Sequence, residues 1–554
     1  MLSPPSHRKL PFLWTTQPKR VAYPSILTFQ WVFPRLGKDY APTPMTLKNH
    51  EGADLPAMAW CAVIHAGKEG VDLYHGAAVE VFDGGWSDGA WNGPFTAEGL
   101  ADCTVVCGTA ALVQEEGVRF FSSSDRLSPL FSFQDKGTTY VSNSPSFLLA
   151  AAGEELDPAY PLYSYDILHI WRRGLFCMAG KMRLASGKKF YIHFSTIVTV
   201  GQDGKVETAR LPAGDFPHNY AEYHALIQGG VDAIFANARA PERKRPLGSI
   251  VAMSRGYDTN ANAALVSRAG CRESFTFYDP LLDDPYVDSG ADNAAYFGLP
   301  CKEVSRRAFL DVETFDEAEF SFVPLSTQAP LAAMEEDFRG KILICGNNGD
   351  MAWKPNYADM GNDRTESFAR YISGIPQLEY RLRVGYVVFS PACIGVDHSR
   401  QLARLSRSEE MKPWDIGGDY NRPLARRLAE DAGVPREKFG QIKLAGGHSH
   451  LARKKEFSPR GYERFKKFMT ARKARTSLLL EIYWKFRVWW LHSLWKVFGK
   501  KMGPPKSLNR WQCKFLMWNN TYPRMLDWEI MFVFTWGVTS LMPRYANPLK
   551  ELRK

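Results

Sequence analysis

Ser254, Asp258 and Thr259 lie within one short stretch, Ile250-Val251-Ala252-Met253-Ser254-Arg255-Gly256-Tyr257-Asp258-Thr259-Asn260. Their oxygens suit a phosphate or pyrophosphate: the two hydroxyls can donate to phosphate oxygens, and the carboxylate can hold Mg²⁺ against them. Such chemistry needs a backbone that turns tightly and presents N–H groups. The flanking residues supply it, because an apolar run beginning near Leu247 is short enough for a buried strand, and Ala261, Ala264 and Leu265 recur at helical spacing. A strand, tight loop and helix in that order leave unpaired N–H groups and the positive end of the helix dipole at the loop. The same pattern also serves simply to cap a helix.

At 554 residues the chain is long enough for two domains and an extension. Its 45 % hydrophobic and 23 % charged composition is globular, and a net charge of +10 permits an anionic partner without demanding one. Nine cysteines are scattered from Cys61 to Cys513 with no C-x-x-C pair, which predicts reduced, mostly buried thiols rather than a disulfide scaffold or zinc ribbon. Met1 to Arg20 is broken by Pro4, Pro5, Pro11 and Pro18 and has no signal-peptide core, so a cytoplasmic location is expected.

The 254–259 loop resembles the Ser-Gly-Gly-x-Asp-Ser pyrophosphate loop of the ATP pyrophosphatase superfamily, with Ser254, Gly256, Asp258 and Thr259 in register and Arg255 in place of one glycine. Two further stretches are similar to the asparagine synthetase family within it. Gly346-Asn347-Asn348-Gly349-Asp350-Met351-Ala352-Trp353 follows a predicted strand over 341–345 and resembles the element that supplies a second acidic Mg²⁺ ligand. Asp350 matches that acid, while Asn347 and Met351 replace acidic residues. Asn421 to Glu430, then Gly433-Val434-Pro435, resembles the family's basic helix and turn, and the lysine eight residues after that proline is Lys443, with Lys454 or Lys455 as alternative counterparts. The resemblance implies ATP and Mg²⁺ as cofactors. It implies pyrophosphate held by Ser254, Arg255, Gly256, Asp258, Thr259, Gly346 and Gly349, metal held by Asp258 and Asp350, and Lys443 as the cation that offsets charge in the transition state.

Upstream, short β-like runs at 58–64, 77–82, 103–106, 117–121 and 138–141 suit a layered antiparallel domain. Gly117 to Phe121, Ser124-Asp125-Arg126-Leu127-Ser128-Pro129-Leu130-Phe131 and Tyr140 to Leu148 look like the later half of the family's glutaminase domain. A glutaminase of that type needs a cysteine directly after the initiator methionine. Here Leu2 follows Met1, and the first cysteine, Cys61, sits in a β-like run, so a degenerate domain without glutamine hydrolysis is expected.

The expected organisation is an irregular extension over 1–56, an α+β Ntn-glutaminase-like antiparallel sandwich over 57–200 and a linker near 201–216. A doubly wound α/β parallel-sheet ATP pyrophosphatase domain follows over 217–456, then a basic, aromatic-rich helical extension over 457–554. His448 and His450 read as a polar loop. In 478–498, Trp484, Phe486, Trp489, Trp490, Trp495 and Phe498 alternate with Lys485, Arg487 and Lys496. That helix is too charged for the roughly 18 apolar residues of a membrane span; peripheral contact with the inner membrane face through 477–554 and packing on the catalytic domain both remain open. The expected substrates are a small carboxylate and an amine or ammonia. A nucleotide-binding scaffold is the alternative. DNA is not expected, and the paired cysteines often used by transfer-RNA-modifying members are missing.

Overall fold

The computed structural model describes residues 45–164, 166–167, 179–214, 216–322, 328–355, 375–418, 420–441, 457–498 and 528–553, all within one compact unit, Thr43–Lys554. Residues 46–209 build two large β-sheets and a two-stranded ribbon of Ala90–Trp91 with Val106–Cys107. The seven-stranded sheet has the spatial order Thr46–Glu51, Gly70–His75, Trp60–His65, Thr138–Ser142, Leu130–Asp135, Lys189–His193, Ala179–Arg183. Its neighbours are antiparallel except the first pair, which is parallel. Thr46–Glu51 thus gives edge-strand structure to part of the span expected to be irregular. The six-stranded sheet is antiparallel throughout, and includes Gly117–Phe121 and Ile197–Gly201.

Side-chain alternation explains the stacking. Trp60, Ala62 and Ile64 point from the larger sheet into one cluster with Trp86, Val118, Phe120, Val198 and Val200 of the smaller one, and Trp60 stacks on Phe120 at 5.9 Å. The intervening Cys61 and Val63 point the other way, into the core shared with the C-terminal half.

That half is organised around five parallel strands: β1 (Gly248–Ala252), β2 (Ser274–Tyr278), β3 (Cys301–Ser305), β4 (Lys341–Ile344) and β5 (Val387–Phe389). Their order is β3-β2-β1-β4-β5. The helices used below are α1 (Tyr220–Ala238), α2 (Tyr257–Arg268), α3 (Gly349–Ala352), α4 (Pro423–Glu430), α5 (Pro459–Ala474), α6 (Leu478–Phe498), α7 (Val533–Leu541) and α8 (Pro543–Leu552). The central strands β1, β4 and β5 carry buried apolar residues on both faces, as a sheet covered on both sides requires, whereas edge strand β3 exposes Lys302 and Glu303. Val251, Ile342, Ile344, Val387 and Phe389 meet residues of α1, α2 and α4, whereas Ile250, Leu343 and Val388 meet Tyr380, Phe465, Met469 and Trp536.

The chain's last elements are part of this body. Ile530 to Phe534 are buried. From α8, Tyr545 stacks on Phe147 at 4.7 Å and donates to Glu379, which also accepts from Ser144 Oγ at 2.7 Å. Among the described residues no helix is long and apolar enough to cross a membrane.

Candidate functional site

In the order β3-β2-β1-β4-β5 the strand progression reverses between β1 and β4, and in open parallel sheets ligands bind at the carboxyl ends on either side of such a reversal. The two loops singled out in the sequence leave those two strands.

The first runs from β1 through Ser254, Arg255 and Gly256 into α2. Gly256, with extended φ of −70°, is the N-cap, and no side chain caps the helix. The simple capping reading therefore does not hold for Ser254. Its Oγ instead accepts from Gly256 N–H at 3.0 Å and lies 3.0 Å from Thr259 Oγ1, pairing the two hydroxyls inside the turn. Buried Asn260 holds the loop from beneath, donating to the carbonyls of Ser254 and Gly256 at 2.9 and 2.7 Å, and Asn293 donates to Asn260 Oδ1 at 3.0 Å. Gly290 backs the turn so closely that a Cβ there would lie 2.4 Å from Ser254 N.

The second loop runs from β4 through Gly346, Asn347 and Asn348 into α3. It touches the first loop at its two glycines. A Cβ on Gly346 would sit 3.1 Å from Asp258 Cβ and 3.2 Å from Thr259 Cγ2, and one on Gly349 would sit 2.5 Å from Asp258 Oδ1. Hydrogen at Gly349 lets the Asp258 carboxylate reach the start of α3, one residue from Asp350, while Gly346 allows the tight packing beside Asp258 and Thr259. Of Asp350 the backbone is described, within α3, and its carboxylate lies outside the described atoms. The loop is further tied by Asn262 Nδ2 to the Cys345 carbonyl at 2.8 Å and by Trp353 Nε1 to the Tyr223 hydroxyl at 2.8 Å.

The contact that holds this loop from the N-terminal side has no local mark in the sequence. Asn348, in the left-handed region at φ +68°, donates through Nδ2 to the Asp125 carbonyl at 3.0 Å. Asp125 Oδ2 accepts from Ser390 N–H at 3.1 Å, its Oδ1 accepts from Leu127 N–H at 2.9 Å, and Ser390 Oγ donates to the Asn347 carbonyl. Burial pushes the Asp125 carboxyl up to about 6, with these N–H groups and Arg381 working against the rise. Nearby, Arg381 of the C-terminal half pairs with Asp88 of the N-terminal half at 3.2 Å, both fully buried. A motif read as a family resemblance thus doubles as the buttress of the second loop.

The third stretch also comes to the site. α4 packs on α2; Arg422 lies over the Tyr257 ring, Gly440 N–H donates to the Arg255 carbonyl at 2.8 Å, and Asn293 Nδ2 donates to the Lys438 carbonyl at 3.2 Å. Arg255 is exposed and, with Asp292, Asn293, Glu437, Lys438 and Gln441, lines a cavity of about 300 Å³ beside the loop. Lys443 lies outside the described residues, as do Lys454, Lys455, His448 and His450.

Carboxylate and hydroxyl oxygens are the donors Mg²⁺ prefers, and the close fit of Gly349 around Asp258 is the cradle such an ion would share with phosphate. Among the described residues no three His, Cys, Asp or Glu side chains converge as a metal site, so the contribution of this chain would be the two aspartates, with phosphate and water completing the shell. Cys61 is buried in its strand, and burial pushes its thiol up to about 12, which leaves no thiolate near neutral pH. The seven described cysteines are all free and buried or half-buried. Compared with known proteins, no family model matches the chain and no curated protein matches it.

Proposed function

We propose that this chain is an ATP-dependent, AMP-forming ligase of the asparagine-synthetase-like type, which adenylates a carboxylate and passes the acyl group to an amine or ammonia. The observation that carries the reading is the juxtaposition of Asp258 with Gly346 and Gly349 at the strand reversal. In this reading the substrate carboxylate attacks the α-phosphorus of ATP, the bond to the bridging oxygen breaks, and pyrophosphate leaves. Ser254, Thr259, Gly256 and the first turn of α2 receive the departing phosphates through hydroxyl and backbone donors, and exposed Arg255 adds a cation at their edge. Asp258 and Asp350 would hold Mg²⁺, whose charge offsets that of the pyrophosphate. Lys443 is assigned the cation facing the adenylate. In-line attack between anions gains chiefly from positioning and charge neutralisation, and Asn260, Asn293 and Asn348 supply the rigidity.

The N-terminal sandwich is assigned the degenerate glutaminase-like part, with no glutamine hydrolysis because Cys61 is a buried strand thiol. Its retained task is to hold the second loop through Asp125. The amine is then free ammonia, a second small molecule or the substrate's own amino group, and the protein works in the cytoplasm.

Pyrophosphate release with ATP, Mg²⁺ and a panel of carboxylates tests this. Turnover that falls at least about 10²-fold in Asp258→Ala supports it. ATP binding with no pyrophosphate release above the Asp258→Ala control instead favours a nucleotide-binding scaffold, the reading to which Arg255, Asn347 and Met351 point because they stand where the family motifs carry a glycine or acids.

A further inference from the structure

Helix α6 carries an apolar face that the described part of the fold leaves outside. Leu478 is 72 % exposed, Leu479 78 % and Trp489 59 %, and Ile482, Tyr483 and Phe486 are each about half exposed or more. At 3.6 residues per turn, or about 100° per residue, these six span an arc of about 140°. Lys485 and Arg487 stand roughly 20° and 40° beyond its two edges. The opposite side is fixed to the protein. Trp484 is buried edge-on against Tyr160 at 5.3 Å, and Glu481 accepts from Trp528 Nε1 at 2.9 Å and pairs with Arg472. The orientation of the helix is therefore set by packing, and it turns its apolar arc away from the body.

We propose that α6 lies flat in the surface of an anionic lipid bilayer, with the apolar arc in the boundary between headgroups and acyl chains and Lys485 and Arg487 against lipid phosphates. Three observations select lipid over a protein partner. Cations border the arc on both sides, which is the layout of interfacial helices. Trp489 and Tyr483 have the apolar body and polar tip favoured at headgroup depth. The preceding helix, α5, is itself basic, with Lys466 and Lys473 exposed and Lys467 paired with Glu463. The charges within α6 also make it a helix that lies on the membrane rather than through it. This inference is independent of the ligase reading.

Flotation of the full-length protein with phosphatidylcholine vesicles, and with vesicles of phosphatidylcholine and phosphatidylglycerol, tests the proposal. The protein should float with the mixed vesicles, and more salt should release it. Leu479→Glu with Ile482→Glu should lower vesicle-bound protein at least about tenfold. Lys485→Gln with Arg487→Gln should lower it roughly fivefold per cation on the mixed vesicles, with little change on neutral ones. Leu479, Ile482 and Lys485 are exposed and Arg487 is half-buried, so an unchanged thermal midpoint confirms that each variant is folded. No flotation with either vesicle, or flotation indifferent to both pairs of substitutions, overturns the proposal. So does a wild-type dimer that Leu479→Glu with Ile482→Glu converts to a monomer without any vesicle binding, since the face would then join two copies of the chain.

Discussion

Gly349 decides how close the two loops at the strand reversal can come. A methyl group there would meet Asp258 Oδ1 at 2.5 Å and the Trp353 ring at 2.9 Å, and Trp353 is fully buried and cannot retreat. Gly349→Ala should therefore displace the Asp258 carboxylate rather than the tryptophan. The expected result is a loss of about 10²-fold in pyrophosphate release, the scale set by a misplacement of roughly 1 Å in a catalytic group. Overpacking should cost only about 1–3 kcal/mol of stability. Denaturant midpoints measured beside the activity separate the two effects; full activity in a folded Gly349→Ala protein would show that Asp258 is not a working ligand. Gly256 differs, because it has an ordinary extended φ and the only tight contact of a Cβ there would be with Ser254 Oγ at 3.2 Å, so neither strain nor close packing requires glycine.

Between elements, the tie from Asp125 to the second loop links the N-terminal sandwich to the parallel sheet, and it titrates. Its carboxyl rises from 3.8 to about 6 in the folded protein, so the native state holds that proton more tightly than the unfolded chain. Stability then falls as pH rises between about 4 and 6, by roughly 2–3 kcal/mol at most from this group, and stays at the lower value above pH 6. Asp288, also raised to about 6 by burial, contributes with the same sign. Asp125→Asn removes one such term. The advantage of wild type over Asp125→Asn, measured by urea unfolding, should thus be larger at pH 4 than at pH 7; an advantage independent of pH would place the carboxyl outside the tie. This contact also marks what local sequence could not disclose. The 254 and 346 loops are legible because small residues follow apolar strands. The Asn348 to Asp125 bond joins residues 223 apart and leaves no period in the chain. Thr46–Glu51 carries no strand pattern for a different reason: Thr-Leu-Lys-Asn-His-Glu is largely exposed and polar, and its parallel pairing with Gly70–His75 makes it a strand.

At the scale of the whole molecule, the aromatic C-terminal region divides into unlike parts. Its composition suggested one extension, yet α6 offers an exposed face while α7 and α8 complete the core. Trp536 packs beside Phe457 and Phe465, and Tyr545 beside Phe147. Ending the chain after residue 527 would remove several large buried side chains, each worth about 2–5 kcal/mol, against a total stability of about 5–15 kcal/mol. Such a protein should show no cooperative thermal transition by circular dichroism; a sharp melt near the wild-type midpoint would mean that α7 and α8 are ornaments on a self-sufficient fold. The seating of Tyr545 on Phe147, with Glu379 bridging to Ser144, has a bearing on biosynthesis. A ribosome delivers Phe147 long before Tyr545, so the helix at 145–152 must wait with this face uncovered until α8 emerges. Domains often fold as they emerge, but this one cannot close before α8 is made, and a product stalled or truncated ahead of α8 keeps an open apolar seam that quality-control proteases can recognise.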